Sequence, residues 1–336
     1  RLGAALMRGL KAETPDVRLV GLGGMEMRAE GLEPLFDIAE LSVMGIAEVV
    51  PRLPAILRRL GDVTADVLAR KPDALVTIDA PSFGLRVARR VRAAEPGIRT
   101  IHYVAPSVWA WRPGRARKMA AYVDHVLALL PFEPPYMTEA GMTCDFVGHP
   151  VAERAPVPPS DIAEFRAAYG LGEGPLLLVA PGSRRGEVAR LGPVFRAALM
   201  RLRETRPGLR AVVPAAETVA GDVGRLFGGH AAIVMPDAGP RVKQAAFAAA
   251  HAGLVASGTV TLEMAAGGTP QVAAYKAAPV TAFIARRLLK IDTANLVNLA
   301  TGRRAVPEFY QETCTPEALA EAVAPLLDGG EAREMQ

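Results

Sequence analysis

Cysteine is almost absent. Cys144 and Cys314 are the two in 336 residues, far apart and outside any C-x-x-C pair. That excludes a disulfide scaffold and a thiolate zinc site, and it fits a reducing compartment. Histidine is also scarce, with five residues and no H-x-x-x-H spacing, so neither a metal nor any other cofactor is expected. No apolar run reaches the ~20 residues that span a bilayer. The longest weakly polar stretch, 244–268, is broken by Gln244, His251, Ser257 and Glu263. No signal peptide is recognisable. Neither sign of charge dominates: 39 basic residues face 35 acidic ones, a net charge of +4. That is too little for a general nucleic-acid coat, so no nucleic-acid partner is expected. A pI near 9.2 still permits a basic face toward phosphate groups or an anionic membrane.

What is present describes a globular chain. Half of it is hydrophobic and 22% is charged, which excludes disorder and fibrous repeats. At roughly 100–200 residues per domain, the length suggests two domains. Short apolar runs alternate with amphipathic stretches. Expected strands in the first half are 17–22, 74–78, 99–104, 123–129 and 144–147; in the second half they are 175–180, 209–213, 231–234, 252–256 and 270–274. Near-continuous apolar strands separated by helices predict parallel sheets covered on both faces. The stretch 155–160, A-P-V-P-P-S, reads as a linker because proline removes donors and disfavours helix before it. The expected division is 1–154, 155–314, and a tail helix over 315–336 announced by Thr315-Pro316-Glu317. That tail could pack on its own domain, cross to the first, or exchange with a second copy in a homodimer. Tandem sheets of this kind bind ligands at the carboxyl ends of their strands, and a cleft between them is the expected site.

Several residues could carry chemistry there. Asp79 follows the strand 74–78 and could accept a proton from a substrate hydroxyl; alternatively it caps the next helix. In P-G-S-R-R-G, residues 181–186, Ser183 and Arg184 sit where glycine, helix amides and guanidinium suit a phosphate, although a generic turn with surface arginines is the alternative. Ser257, Gly258 and Thr259 open another helix after strand 252–256, and Glu263 lies one turn deeper on Thr259's face. Diphosphate on the amides and ribose on the carboxylate would suit a nucleotide sugar. Glu263 sits among apolar residues and would otherwise need a partner. His102 and His149 read as structural residues. Trp109 and Trp111, followed by Arg112, suggest an apolar wall with a basic edge. In 43–68, Leu53, Ile56 and Leu57 belong to an apolar stripe interrupted by Pro51 and Pro54, either a core helix or a lip that dips into a membrane.

The runs I-H-Y-V-A-P-S-V-W-A-W-R at 101–112, S-V-M-G-I-A-E-V at 42–49, T-I-D-A-P at 77–81, L-P-F-E at 130–133, V-G-H-P at 147–150, P-G-S-R at 181–184, A-S-G-T-V-T-L-E at 256–263, Y-K at 275–276 and N-L at 298–299 occur in the order seen in lipid-A-disaccharide synthases, and the chain resembles that family essentially throughout. The resemblance implies a glycosyltransferase-B fold: two facing, doubly wound α/β domains. It implies transfer of a sugar, with inversion, from UDP-2,3-diacylglucosamine to 2,3-diacylglucosamine 1-phosphate, without a metal, at the cytoplasmic face of the inner membrane of Gram-negative bacteria. It implies Asp79 as base, Arg184 against the leaving diphosphate, Ser257, Gly258 and Thr259 on the phosphates and Glu263 on the ribose. Asn298, Glu308 and Gln311 would face the nucleotide or donor sugar. The family opens with a strand and a G-E-x-S-G-D loop, whereas this chain starts at Arg1, just past them, so its first sheet is expected to be one strand short. Ser82 stands where the family often has a second acid. Two other readings compete: another glycosyltransferase-B enzyme or UDP-sugar epimerase, and a non-catalytic sugar-binding protein. The tryptophan motif and the apolar segment 43–60 argue against the first, and Asp79 paired with a diphosphate cradle argues against the second.

Overall fold

The computed structural model of the protein describes residues 2–38, 46–110, 114–278 and 292–329. The chain divides into two compact units, Arg1–Pro150 and Val151–Gln336. In the first, helices α1 (Leu2–Glu13), α2 (Met25–Ala29) and α3 (Ile46–Arg70) precede β1 (Ala74–Ile78), α4 (Gly84–Ala94), β2 (Arg99–Tyr103), α5 (Gly114–Met119), β3 (His125–Ala128), α6 (Pro134–Thr138) and β4 (Thr143–Phe146). The four strands pair in parallel in the order β1-β2-β3-β4.

The second unit contains α7 (Pro159–Ala168), β5 (Leu176–Ala180), α8 (Arg185–Thr205), β6 (Arg210–Pro214), α9 (Ala220–Phe227), β7 (Ala232–Val234), α10 (Gly239–Ala249), β8 (Ala252–Ala256), α11 (Thr259–Ala266), β9 (Gln271–Tyr275), α12 (Leu296–Thr301), β10 (Glu308–Tyr310) and α13 (Pro316–Asp328). Its sheet is parallel in the order β10-β9-β8-β5-β6-β7. Every residue of β5 and β8 is buried, as continuous apolar runs such as L-L-L-V-A require when helices cover both faces. One face packs α8, α9 and α13 through Phe195, Leu199, Phe227 and Val323; the other packs α7, α10 and α11 through Phe165, Phe247 and Met264. Helix α13 starts as its sequence promises, with the Thr315 hydroxyl accepting from the Ala318 amide at 3.2 Å and Pro316 at the first turn. It packs on α8, β8 and β9.

Two local expectations are corrected. Residues 17–22 form no strand; Gly21 makes one isolated parallel bridge to Pro34. A strand exists only by pairing, and no ladder partner runs beside this segment among the described residues. Pro51 and Pro54 do not interrupt α3, which continues through both. Its later turns are held by burial: Leu60, with Val63, Val67 and Leu68, packs on Val87 and Val91 of α4. That packing offsets the hydrogen bonds the two prolines remove from the first turns. Among the described residues, no helix is long and apolar enough to cross a membrane.

Candidate functional site

In the first unit the site grows from the carboxyl end of β1. Its last residue, Ile78, pairs with Tyr103, and the Asp79 amide continues the ladder to the Tyr103 carbonyl at 2.9 Å. The chain then turns sharply, with Asp79 at φ 47° and Ala80 at φ 40°. Two consecutive non-glycine residues in the left-handed region cost energy that surrounding structure must supply. The Ala80 carbonyl receives the amides of Phe83 and Gly84, which starts α4. Gly84 eases a close approach: a Cβ there would lie 3.1 Å from the Thr77 Cβ, so Thr77 would have to give by a few tenths of an ångström. Asp79 is exposed, and its carboxylate has no ion pair or hydrogen-bond donor among the described residues. The alternative role of helix cap is removed, because α4 is capped at Phe83 with no side-chain hydrogen bond.

Beneath this turn, the Thr77 hydroxyl and the His102 Nδ1 are hydrogen-bonded at 2.7 Å. His102 is completely buried, and its Nε2 has no partner. Burial, reinforced by the positive charge of Arg115 and opposed by the hydrogen bond at Thr77, lowers its pKa to about 4. Trp109 is anchored: its Nε1 donates to Glu133 at 3.4 Å and its ring meets Phe132 edge-on at 5.2 Å. Glu133 is buried and also accepts from the Leu129 and Leu130 amides at 3.1 and 3.0 Å. Burial raises its pKa, and the donors from Leu130, Trp109 and Leu129 pull the other way. Trp111 and Arg112 lie outside the described residues. On α3, Leu53 and Leu57 are 41% and 42% exposed, while Ile56 is half-buried.

In the second unit the order of the strands marks the candidate position. The sheet reverses its winding between β5 and β8, which are neighbours. Open α/β sheets bind ligands at the carboxyl ends of the strands at such a switch point. The loop after β5 carries Ser183 and Arg184, and the loop after β8 carries Ser257 and Gly258, so the sheet brings the two segments side by side. Helix α11 begins at Thr259 with Gly258 as its cap and no side-chain hydrogen bond there. The 181–186 loop is different, because two of its amides are occupied. Glu187, in the first turn of α8, accepts from the Ser183 and Arg184 amides at 3.2 and 3.3 Å and from Arg184 Nη1 at 2.7 Å. Gly182 has φ 122°, and a Cβ there would meet the Glu187 Cβ at 2.6 Å. The Thr218 hydroxyl ties down the loop through the Ser183 carbonyl at 2.8 Å.

Glu263 is 15% exposed and paired twice, with Arg154 at 3.0 Å and Lys243 at 3.3 Å. The partner that its apolar surroundings demand is therefore supplied by the protein. Asn298 is buried: its amide donates to the Val306 carbonyl at 2.8 Å and to Glu308 at 3.2 Å, and its oxygen accepts from the Val306 amide at 2.9 Å. Glu308 also accepts from Thr293 and from the Tyr310 hydroxyl. Burial, then that contact with Glu308, pushes the Tyr310 pKa upward. Tyr310 receives the Ala294 amide at 3.0 Å, and Ser257 Oγ donates to the Ala294 carbonyl at 3.4 Å. Ser257, Asn298 and Glu308 thus belong to one network. Gln311 follows at φ 49°, its amide on the Tyr275 carbonyl at 3.1 Å.

Sequence reasoning missed Glu187, Arg154, Lys243 and Tyr310. An acid three residues after the residue preceding α8 is the local signal for Glu187; Arg154 lies 109 positions from Glu263 and has none.

The profile of the lipid-A-disaccharide synthetase family matches residues 1–336. Over 332 residues the chain is 53% identical to the lipid-A-disaccharide synthase of Ruegeria pomeroyi, covering 96% of this chain and 82% of that protein. Over 332 residues it is 46% identical to the Pseudomonas fluorescens lipid-A-disaccharide synthase, covering 98% and 87%. Among solved structures it is similar to a putative UDP-N-acetylglucosamine 2-epimerase from Listeria monocytogenes (TM-score 0.65, 15% identity, 99% of this chain and 86% of that one). It is also similar to the UDP-GlcNAc 2-epimerase of Methanocaldococcus jannaschii (TM-score 0.61, 13% identity, 99% and 93%). At such identity the structural likeness shows the fold, of the glycosyltransferase-B type, and nothing of the chemistry.

Proposed function

The chain belongs to the lipid-A-disaccharide synthase family, glycosyltransferases of lipid A synthesis that use a UDP-sugar, and from that premise we propose how its residues carry out the transfer. The donor is UDP-2,3-diacylglucosamine and the acceptor is 2,3-diacylglucosamine 1-phosphate. Asp79 accepts the proton of the acceptor 6-hydroxyl as its oxygen bonds to the donor anomeric carbon. The bond from that carbon to the diphosphate breaks on the opposite face, the anomer inverts, and UDP leaves with the bonding electrons. The transition state is oxocarbenium-like, so stabilising the leaving group is a large part of the work. Arg184 and the amides at the start of α11, with the hydroxyls of Ser257 and Thr259, stabilise the growing negative charge; in this way guanidinium and helix terminus take the part a divalent cation plays elsewhere. Glu263 holds the ribose through oxygen lone pairs its two cations leave open, and Glu308, with Asn298 behind it, lines the donor side near Gln311.

The observation that most supports this reading is the placement of the Arg184 and Ser257 loops on adjacent strands at the switch point of the second sheet. The exposed acyl-facing side chains Leu53 and Leu57, with Ile56, Trp109, Trp111 and Arg112, are assigned to a peripheral contact with the cytoplasmic face of the inner membrane. The function is tested by supplying both lipid substrates and looking for a β-1,6 disaccharide 1-phosphate and UDP. Asp79→Asn should lower turnover about 10²–10⁴-fold, the scale of a lost general base, while UDP binding stays unchanged. Near-normal turnover in that variant would remove Asp79 as the base.

A further inference from the structure

Arg184 is 67% exposed, and a long side chain in solvent samples many rotamers. A group that stabilises a leaving diphosphate acts through preorganisation, so its orientation must be set before the bond breaks. Glu187 supplies a fixed point. Its side chain is only 17% exposed, and one of its oxygens is itself held by the Ser183 and Arg184 amides. Its other oxygen takes Arg184 Nη1 at 2.7 Å. The remaining edge of the guanidinium, Nε with Nη2, has no partner among the described residues. A planar fork with one end clasped and the adjoining edge open matches two phosphate oxygens in bidentate fashion.

We propose that Glu187 is a positioning residue: it clasps Arg184 through Nη1 so that the Nε–Nη2 edge is presented to the departing diphosphate. The inference rests on Arg184 facing that diphosphate. Glu187 touches no reacting atom; it acts through Arg184 alone. It also fills the Ser183 and Arg184 amides, which would otherwise compete with the guanidinium for phosphate. The cost is a carboxylate near the leaving group, which partly offsets the positive charge. The gain is that little orientation remains to be lost in the transition state.

A double-mutant cycle on turnover tests this, with kcat and donor KM measured for Glu187→Ala, Arg184→Ala and the pair. Glu187→Ala should lower kcat about 10–100-fold, the scale of a misplaced group, with donor KM moving less than about threefold. Glu187→Gln keeps an oxygen acceptor but loses the charge and should fall between. The double variant should be no slower than Arg184→Ala alone, since without the guanidinium there is nothing to position. Multiplied losses in the double variant would overturn the role of Glu187 and leave Arg184 in place. Wild-type turnover in Arg184→Ala would overturn the role of Arg184 itself, and this inference with it. If Glu187→Ala fails to fold, the same cycle run with Glu187→Gln decides between these outcomes.

Discussion

Asp79 in the first unit and Glu187 and Glu263 in the second are treated in opposite ways. In the first, Asp79 stands exposed at the end of β1, held by a strained left-handed turn and compensated by no cation among the described residues. In the second, Glu187 and Glu263 are largely covered and each is bound to guanidinium or ammonium. The acid proposed to take a proton is open to solvent and fixed by its backbone. Glu187 and Glu263 are neutralised and serve as anchors for cations. Around these residues, the first unit leaves a carboxylate uncompensated and the second ties its carboxylates to cations.

The sharpest way to break that contrast is to remove the organised cation. Arg184→Ala should slow turnover about 10²–10³-fold, typical of losing one donor to developing charge. A change confined to donor KM would reduce Arg184 to a binding residue. Next in size is the support beneath Asp79. Folded His102 stays neutral down to about pH 4, whereas the unfolded ring gains a proton below 6.5. Its stabilising contribution is therefore complete above pH 6.5 and drains as pH falls toward 4. The expected span is about 3 kcal/mol, and His102→Gln should flatten the melting-temperature profile over that window. An unchanged profile would place the acid sensitivity elsewhere. Smaller still, Asn298→Ala takes the Asn298 partner from the Val306 amide and carbonyl and removes one of three donors to Glu308 among the described residues, and it should cost about 1–3 kcal/mol in denaturant unfolding. If donor affinity fell with no loss of stability, Asn298 would belong to the ligand site instead of its scaffold.

Much of the fold was legible because buried parallel strands are written as unbroken apolar runs: β5 and β8 need no context to be seen. Residues 17–22 carry the same signature and form no strand, since a ladder needs a neighbour and composition does not record one. β10 went unseen because E-F-Y is three residues long and mixed in polarity. The position of Asp79 at the carboxyl end of β1 was legible from the sequence. Its left-handed φ was not, because aspartate and alanine do not advertise that conformation as glycine does. The first-turn position of Glu187 looks like an ordinary helix-start acid, and only the folded loop reveals what it clasps. Glu263 was recognisable as needing a partner, but Arg154 and Lys243 come from distant turns of the chain.

Helix α13 lays Leu319, Val323, Leu326 and Leu327 into the same buried face as Phe195 and Leu254. A ribosome releases those side chains late. While residues 316–328 are still in the exit tunnel, the part of that face beside α8 and over β8 and β9 stays uncovered, and the nascent polypeptide must wait, greasy side outward, for this helix. The first sheet carries no such delay: its four described strands all lie before residue 150, so these ladders can form while the rest is still being translated.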